Sequence, residues 1–299
     1  MVSINVIHTN TDAAKRFVDV CENEFKRRIE KVATDIISNK SIKIVTLTGP
    51  TCSGKTTTAC LLTAFFEKNG RKARVLSVDD FYYDSEYMQK NNITDFEGIN
   101  AIDLELFRDV ATNLAKGNTT FIPTFDFKER RRVALTEYTP SENDIYIIEG
   151  IQAMYPEITA ILGKIGVKSI FINVDNAVEV GGNVFDKFEL RLMRRTVRDY
   201  FHRASSPELT MVLWKNVRRN EDANIFPYAV RADYTINSLL PYEIFIIGKY
   251  YLEVTENYSA VAADYSTVEN LRARLEKISN NCITVNMIPD DSVFREFIV

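Results

Sequence analysis

Short runs of apolar residues alternate with longer amphipathic segments along most of the chain. The runs are almost continuously apolar, which is typical of strands buried on both faces. The longer segments carry apolar residues at spacings of three and four, as Phe17, Cys21 and Phe25 do in the first of them. The pattern predicts strands at 42–49, 73–80, 145–150, 169–175 and 232–238. It predicts helices at 12–38, from Lys55 to about Gly70, at 102–117, at 188–203, after Pro207 and at 267–278.

The order of these elements indicates an α/β fold. A strand, a helix and a second strand between 42 and 80 imply a right-handed crossover. Repeated crossovers of this kind build a mostly parallel sheet with helices on both faces.

Composition narrows the class of protein. Of 299 residues, 45% are hydrophobic, enough for a sizeable core, and the net charge of −4 argues against a general nucleic-acid surface. The four cysteines have no zinc-binding spacing, so we expect reduced thiols in a cytoplasmic protein. We expect no signal peptide, because the first residues contain no basic region and no continuous apolar run. We expect no membrane span, because no apolar stretch approaches roughly 20 residues. The sequence leaves open whether the chain forms a homo-oligomer.

A phosphate-binding loop is the clearest chemical signal. Gly49 to Thr56 fits G-x-x-x-x-G-K-[ST] in full, between a predicted strand and a predicted helix. In such loops, backbone N–H groups turn onto phosphate oxygens at the positive end of a helix. Lys55 is expected to reach the β- and γ-phosphates, and the Thr56 hydroxyl to bind Mg²⁺. The predicted nucleotide-binding residues are Gly49, Pro50, Thr51, Cys52, Ser53, Gly54, Lys55, Thr56 and Thr57.

Carboxylates follow two of the predicted strands. Asp79 and Asp80 end the second strand, and Glu149 ends the apolar run IYIIE. Ligands of open α/β sheets bind beyond the carboxyl ends of the strands, so these acids are expected near the phosphate loop. We predict that Asp79 accepts a hydroxyl proton and that Glu149, with Asp79 and Thr56, holds Mg²⁺ directly or through water. Helix caps, loop acids and surface acids are the alternative interpretation.

Several arginines share one face of the predicted helix at 188–203. Their spacing of i, i+3, i+4 and i+7 places like charges side by side, and an anion facing them would relieve the repulsion. A transferring phosphoryl group is such an anion. The alternative is a solvated basic stripe paired in part with Asp199 and Glu189. The arginines are Arg191, Arg194, Arg195 and Arg198, with Arg203 just beyond.

The segment FIPTFDFKERRR (121–132) combines phenylalanines with a basic run. Phe125 and Phe127 could hold a flat ring near the strand ends, with Arg130 beside them. Ordinary core packing of alternating phenylalanines is the other interpretation, and the pattern does not decide between the two.

The ordered motifs resemble those of the phosphoribulokinase/uridine kinase family. They are GPTCSGKTT, VDDFYYD, DFEGINAIDLELF, IPTFDFKERRR, IIEGI, RLMRRTVRDYFHR and RRNEDANIFPYAVRADYTINSLLPYE. The resemblance covers roughly residues 15 to 299 and implies a phosphate-loop (P-loop) kinase with a helical lid. It leads us to expect an N-terminal helical segment at 1–40, a kinase domain at 41–240 and a C-terminal extension at 241–299 packed on it.

The resemblance also assigns roles to individual residues. It places the catalytic carboxylate on Asp79, the metal-side glutamate on Glu149 and lid arginines on Arg198 and Arg203. It places a nucleoside-binding arginine on Arg195 and a carboxylate for the ribose hydroxyls on Glu97. Apart from the resemblance, we expect Asp80 and Tyr82, which follow Asp79 closely, to bind the acceptor.

The acceptor-reading positions depart from the family pattern. Phe125 and Arg130 stand where a tyrosine and a histidine of uridine-cytidine kinases read the pyrimidine. Ser205 replaces a ribose-contacting arginine, and Leu213 replaces a glutamine. The chain therefore matches the family at the positions for phosphoryl transfer but differs from it at the positions for acceptor recognition.

The motifs and the family resemblance together predict a kinase that uses ATP and Mg²⁺ to phosphorylate the 5′-hydroxyl of a nucleoside. Uridine and cytidine are the expected acceptors. Kinases of pantothenate or another sugar-like alcohol are alternatives, as is a nucleotide-binding regulatory protein with a degenerate acceptor site. A GTP-driven switch is disfavoured, because the only string similar to its guanine-reading motif, NKSI at 39–42, precedes the loop and lacks the aspartate.

Overall fold

The computed structural model describes residues 1–4, 10–94, 98–163, 166–259, 262 and 264–298. The strands are β1 (Val2–Ile4), β2 (Ile44–Thr48), β3 (Ala73–Ser77), β4 (Thr120–Asp126), β5 (Arg131–Tyr138), β6 (Ile145–Glu149), β7 (Val167–Asn173), β8 (Val178–Val180), β9 (Asn183–Phe185) and β10 (Tyr234–Asn237). The helices are α1 (Thr11–Ser38), α2 (Lys55–Lys68), α3 (Ser85–Lys90), α4 (Leu104–Lys116), α5 (Pro156–Leu162), α6 (Lys187–Arg203), α7 (Pro207–Asn224), α8 (Phe226–Ala229), α9 (Glu243–Val254) and α10 (Tyr265–Glu276).

A five-stranded parallel sheet forms the centre of the molecule, with strand order β10-β7-β2-β6-β3. The predicted α/β class and parallel sheet are therefore confirmed. Because β2, β6 and β3 are neighbours, their carboxyl ends lie side by side. The residues that follow these three strands consequently meet at one edge of the sheet.

Strands β2 and β6 of the central sheet are buried on both faces, which explains their almost continuously apolar sequences. In β6, Ile145 and Ile147 join the hydrophobic cluster that contains α1 and α2. Tyr146 and Ile148 point the other way, into the cluster with α4 and α5. This alternation with a period of two fixes the register of the sheet, since a slip by one residue would exchange the two faces.

The segments at both ends of the chain belong to the larger of the two clusters. Phe25 of α1, Phe245 of α9 and Leu271 of α10 are all buried in it together with the sheet. The division of the chain at residues 40 and 240 stays a prediction. Within the ranges given above, no helix is both long and apolar enough to cross a membrane.

Several elements were not predicted from the sequence, among them helix α9, strand β5 and the three short strands β1, β8 and β9. Helix α9 is buried and carries apolar residues on almost all sides. Its sequence therefore lacks the alternation of apolar and polar faces that predicts a surface helix. Strand β5 pairs with β4 in an antiparallel hairpin and is mostly exposed, so it lacks an apolar run. Strands β1, β8 and β9 form a small separate sheet, each only three residues long.

Candidate active site

The phosphate loop joins β2 to α2 as the motif predicts. A Cβ on Gly49 would collide with the carbonyl oxygen of Ile172 in β7, so only glycine allows this close approach. Gly54 has φ of +88°, which glycine adopts without strain. Cys52 also has a positive φ, +57°, and a residue with a side chain pays for that conformation with about 1 kcal/mol or more.

Lys55 closes the loop on itself. Its Nζ donates hydrogen bonds to the carbonyl oxygens of Gly49, at 3.0 Å, and Pro50, at 3.1 Å. The ammonium group thus lies across the mouth of the loop, next to the first turn of α2. Free backbone N–H groups of that turn and the helix dipole make this a place where phosphate can bind.

Asp79 and Glu149 lie at the carboxyl ends of β3 and β6, which are neighbours in the central sheet. Glu149 accepts a hydrogen bond of 3.0 Å from Ser77 Oγ, and Asp79 lies in the short 3₁₀ turn after β3. Burial and the neighbouring charge of Glu149 raise the pKa of Asp79 to about 6, although Lys55 opposes the shift. The two carboxylates therefore interact electrostatically with each other and with the lysine of the phosphate loop.

Tyr82 and Gln152 orient the Asp79 carboxylate. Asp79 accepts a hydrogen bond from the Tyr82 side chain, and Gln152 Nε2 donates to Tyr82 Oη at 3.1 Å. Gln152 is buried, so this relay is shielded from solvent. The sequence interpretation missed Gln152, whose only signal was its position three residues after the end of a strand.

Asp80 holds the β4–β5 hairpin against the sheet. Its Oδ1 accepts a hydrogen bond of 3.0 Å from the backbone N–H of Phe125. Arg132 of β5 donates to the Tyr82 carbonyl and forms an ion pair of 2.7 Å with Asp103. These contacts give Asp80 a structural role next to its predicted role in acceptor binding.

Phe125 and Phe127 pack against Tyr82 and each other. The ring centroids are 5.7 Å apart for Tyr82 and Phe125, 6.0 Å for Tyr82 and Phe127, and 5.2 Å for the two phenylalanines. Phe127 is nevertheless 60% exposed. Arg130 is exposed in the hairpin turn with φ of +53°. Glu97 lies outside the described residues.

The arginines of α6 divide into two groups, which corrects the idea of a single stripe facing an anion. Arg191 and Arg194 are fully buried and form ion pairs with Glu221, at 2.5 Å, and Glu243, at 2.6 Å. They also donate to the carbonyl oxygens of two phosphate-loop residues, Thr51 and Cys52. Because their guanidinium groups are buried in these ion pairs and hydrogen bonds, the two arginines stabilise the loop and are unavailable to a substrate.

The other three arginines converge on one buried carboxylate. Asp199 lies 3.3 Å from Arg195, 2.7 Å from Arg198 and 3.7 Å from Arg203. Three cations around a single anion leave an excess positive charge, which suits the binding of a further anion. Asp199 thus holds the three arginines together. Its pairing with them agrees with the alternative interpretation of the sequence, in which Asp199 partly neutralises the basic stripe.

The oxygen ligands that Mg²⁺ prefers are present in the Thr56 hydroxyl and the Asp79 and Glu149 carboxylates. The like charges that raise the pKa of Asp79 would be relieved by a cation between them. In the part of the chain that the structure describes, no group of three or more His, Cys, Asp or Glu residues forms a metal site. Thr56, Asp79 and Glu149 are the residues that would hold a magnesium ion.

Comparisons with known proteins identify the family of the chain. The model of the "Phosphoribulokinase / Uridine kinase family" matches residues 44–244. A uridine-cytidine kinase C of Dictyostelium discoideum is 27% identical over 171 residues, 57% of this chain but only 33% of that protein. A uridine kinase of Mycoplasma genitalium is 25% identical over 210 residues, 66% of this chain and 90% of that protein.

A solved structure shares the fold. A crystal structure from Silicibacter sp. TM1040, described as a candidate fructose transport system kinase, superposes with a TM-score of 0.51 at 19% identity. The match covers 69% of this chain and 98% of that one. At this identity the likeness shows the P-loop kinase fold alone.

Proposed function

The chain belongs to the phosphoribulokinase/uridine kinase family, and on that premise we propose that it transfers the γ-phosphoryl group of ATP to the 5′-hydroxyl of a nucleoside, with uridine or cytidine first. The observation that carries the proposal is the meeting of Lys55, Asp79 and Glu149 at the ends of adjacent strands. Relatives named uridine kinase support the choice of acceptor.

The phosphate loop and Lys55 are proposed to bind the phosphates of the donor. Backbone N–H groups at the start of α2 receive phosphate oxygens, and the lysine neutralises charge on them. Thr56, Asp79 and Glu149 would hold Mg²⁺, which supplies charge neutralisation of the phosphates when bound. The family supports ATP as the donor, and the oxygen ligands described above support Mg²⁺.

Asp79 is proposed to accept the proton of the acceptor hydroxyl. With a pKa of about 6 it is mostly ionised at neutral pH, yet basic enough to take a proton in the transition state. The relay from Gln152 through Tyr82 fixes the orientation of its carboxylate. Preorganised orientation of this kind avoids reorganisation during the reaction.

Arg195, Arg198 and Arg203 are proposed to stabilise the transferring phosphoryl group. Asp199 collects their guanidinium groups on α6 while leaving an excess of positive charge. Removing one such donor from a preorganised site typically costs about 10²–10³ in rate. Arg203 is the most exposed, with 61% of its side chain accessible, so it is the one that a ligand can reach with least rearrangement.

The packing of the aromatic residues favours a second candidate, a kinase of a smaller sugar-like alcohol. A base inserted between two rings needs about 7 Å between them, two van der Waals separations. No pair among Tyr82, Phe125 and Phe127 offers that gap, since their centroids are 5.2 to 6.0 Å apart and the rings are tilted. A nucleoside base would have to stack on the outer, exposed side of Phe127.

The test is ATP-dependent ADP release with a panel of acceptors in parallel. The panel is uridine, cytidine, adenosine, guanosine, ribose, pantothenate and ribulose 5-phosphate, with phosphorus NMR locating the new phosphate. The Lys55→Ala variant serves as the control for contaminating kinases, because its loop lacks the phosphate-binding lysine. We expect the wild type to phosphorylate uridine or cytidine and the Lys55→Ala variant to phosphorylate neither.

The outcomes separate the candidates. Turnover of ribose or pantothenate without that of any nucleoside would reject the nucleoside acceptor and support the smaller alcohol. Tight ATP binding without turnover of any acceptor would instead support a nucleotide-binding regulatory protein.

A further inference from the structure

The last described residues of the chain pack against the phosphate loop. We call Ser292–Ile298 the C-terminal segment; it lies outside the region matched by the family model. A Cβ on Gly54 would collide with the side chain of Val293, so the segment lies directly on the loop. Val293, Phe294 and Phe297 are completely buried, which makes the segment a fixed part of the fold.

The segment connects the phosphate-loop helix α2 with the arginine-bearing helix α6. Thr57 Oγ1, in the first turn of α2, donates a hydrogen bond of 3.2 Å to Glu296 Oε2. The Phe297 ring lies under the guanidinium group of Arg194, at 4.8 Å. At the end of α6, His202 Nε2 is 3.3 Å from the carbonyl oxygen of Ile298.

Glu296 therefore places a carboxylate beside the start of α2, where an anion is electrostatically favoured. It also lies near the arginines of α6. Burial alone would lower the pKa of Arg198, but Cys52, Asp199 and, more weakly, Glu296 raise it above its ordinary value. A negative charge from outside the family-matched region is thus built into the positive site that we assign to the donor phosphates.

We propose that Glu296 is a residue of the donor site and that it weakens the binding of the donor nucleotide. The proposal rests on the proposed function, because it takes α2 and Arg198 to face nucleotide phosphates. Thr57 has a single hydroxyl proton, and a carboxylate and a phosphate oxygen both need it. The two groups are also like charges, so each disfavours the other at short range.

The sign of the effect separates this role from a structural one. If Glu296 competes with a phosphate, then Glu296→Gln removes a like charge and tightens nucleotide binding. We expect about three- to tenfold, the size of one like-charge interaction in a partly solvated site. If Glu296 merely braces Thr57 and Arg198, the same substitution loosens the site and weakens binding.

The experiment is titration calorimetry of Mg²⁺-ADP binding to the full chain and its variants at low and high salt. Glu296→Gln is compared with the wild type and with Glu256→Gln, an exposed glutamate of the same C-terminal region. We expect tighter binding only for Glu296→Gln, with a difference that shrinks as ionic strength rises. Equal or weaker binding by a Glu296→Gln variant with wild-type melting temperature would overturn the proposal.

Two further variants keep the test decisive. If Glu296→Gln does not fold, Glu296→Asp withdraws the charge by one methylene, and we expect a smaller tightening; equal or weaker binding would again overturn the proposal. Lys55→Ala separates this proposal from the proposed function. Binding that depends on Lys55 but not on Glu296 refutes only the role of Glu296, whereas binding independent of Lys55 refutes the donor site itself.

Discussion

Replacing Asp79 by asparagine should make the protein more stable while it loses phosphoryl transfer. The carboxylate is partly buried beside Glu149, and these two effects raise its pKa from 3.8 to about 6. A raised pKa means that the folded protein resists the charged form. The amide of asparagine keeps the shape and removes the charge, but it cannot accept a proton.

The magnitude follows from the shift. About two pKa units at 1.36 kcal/mol each give roughly 3 kcal/mol as an upper bound. Because Asp79 is partly exposed, solvent screening reduces this to about 1–2 kcal/mol. For a chain of 299 residues, with an unfolding entropy of about 2.1 cal/mol/K per residue, that corresponds to an increase in melting temperature of about 2–3 °C.

The sign depends on pH. Between pH 3.8 and about 6 the folded protein holds a proton on Asp79 that the unfolded chain has released, so wild-type stability falls as pH rises through this window. Above pH 6 the full penalty is present, and below pH 3.8 it vanishes. The Asn variant carries no such penalty, so its advantage should grow from pH 4 to pH 7 and then level off.

The assay is thermal unfolding in metal-free buffer from pH 4 to pH 8, with Asp109→Asn as an exposed control on α4. Mg²⁺ should narrow the gap, because a cation offsets the repulsion between Asp79 and Glu149. A parallel assay of ADP release should show a loss of about 10²–10⁴. An Asn variant that is no more stable at pH 8, or that retains transfer within about threefold of wild type, would refute this reasoning.

Three further predictions concern the cations around the loop. Lys55→Ala should weaken ATP binding or transfer by about 3 kcal/mol, a hundredfold or more, and calorimetry with unchanged affinity and normal turnover would remove Lys55 from the site. Arg198→Ala should slow transfer at least tenfold more than the exposed-arginine variant Arg108→Ala, and identical kinetics would leave Arg198 a structural role only. Arg194→Met should lower the free energy of unfolding by about 3–5 kcal/mol in urea, because it leaves Glu243 buried without its partner. Adding Glu243→Gln should restore part of that loss, and strictly additive losses would show that the two charges are not coupled.

The strands of the sheet and the phosphate loop could be predicted because their signals are local. A continuous apolar run followed by Gly49 and Gly54 in fixed spacing needs no knowledge of distant residues. The end of β6 could be predicted in the same way, since Glu149 directly follows an apolar run. Predicted and observed bounds of these strands agree to within three residues.

The division among the arginines could not be predicted from their spacing. Helical periodicity places Arg191 and Arg194 near Arg195 and Arg198, but it does not indicate which carboxylates they meet. Their partners lie 30 and 49 residues further along, in α7 and at the start of α9. Which cation is buried is therefore decided by tertiary packing.

The aromatic run was ambiguous for a related reason. Alternating phenylalanines fit a strand in either a core or a binding surface. The structure places Phe125 against Tyr82 because the carboxylate of Asp80, 45 residues earlier, holds its backbone N–H. No pattern within 121–132 contains that information.

The contact between Thr57 and Glu296 also sets an order of events during synthesis. The two residues are 239 positions apart. At about 5–20 residues per second, the ribosome needs on the order of 12–50 s to make the second after the first. Until the C-terminal segment has been made, Gly54 lacks Val293 and Arg194 lacks the Phe297 ring. Once α6 has also been made, a nucleotide that meets the growing chain encounters a phosphate loop without its carboxylate competitor and without the packing of Val293 and Phe297.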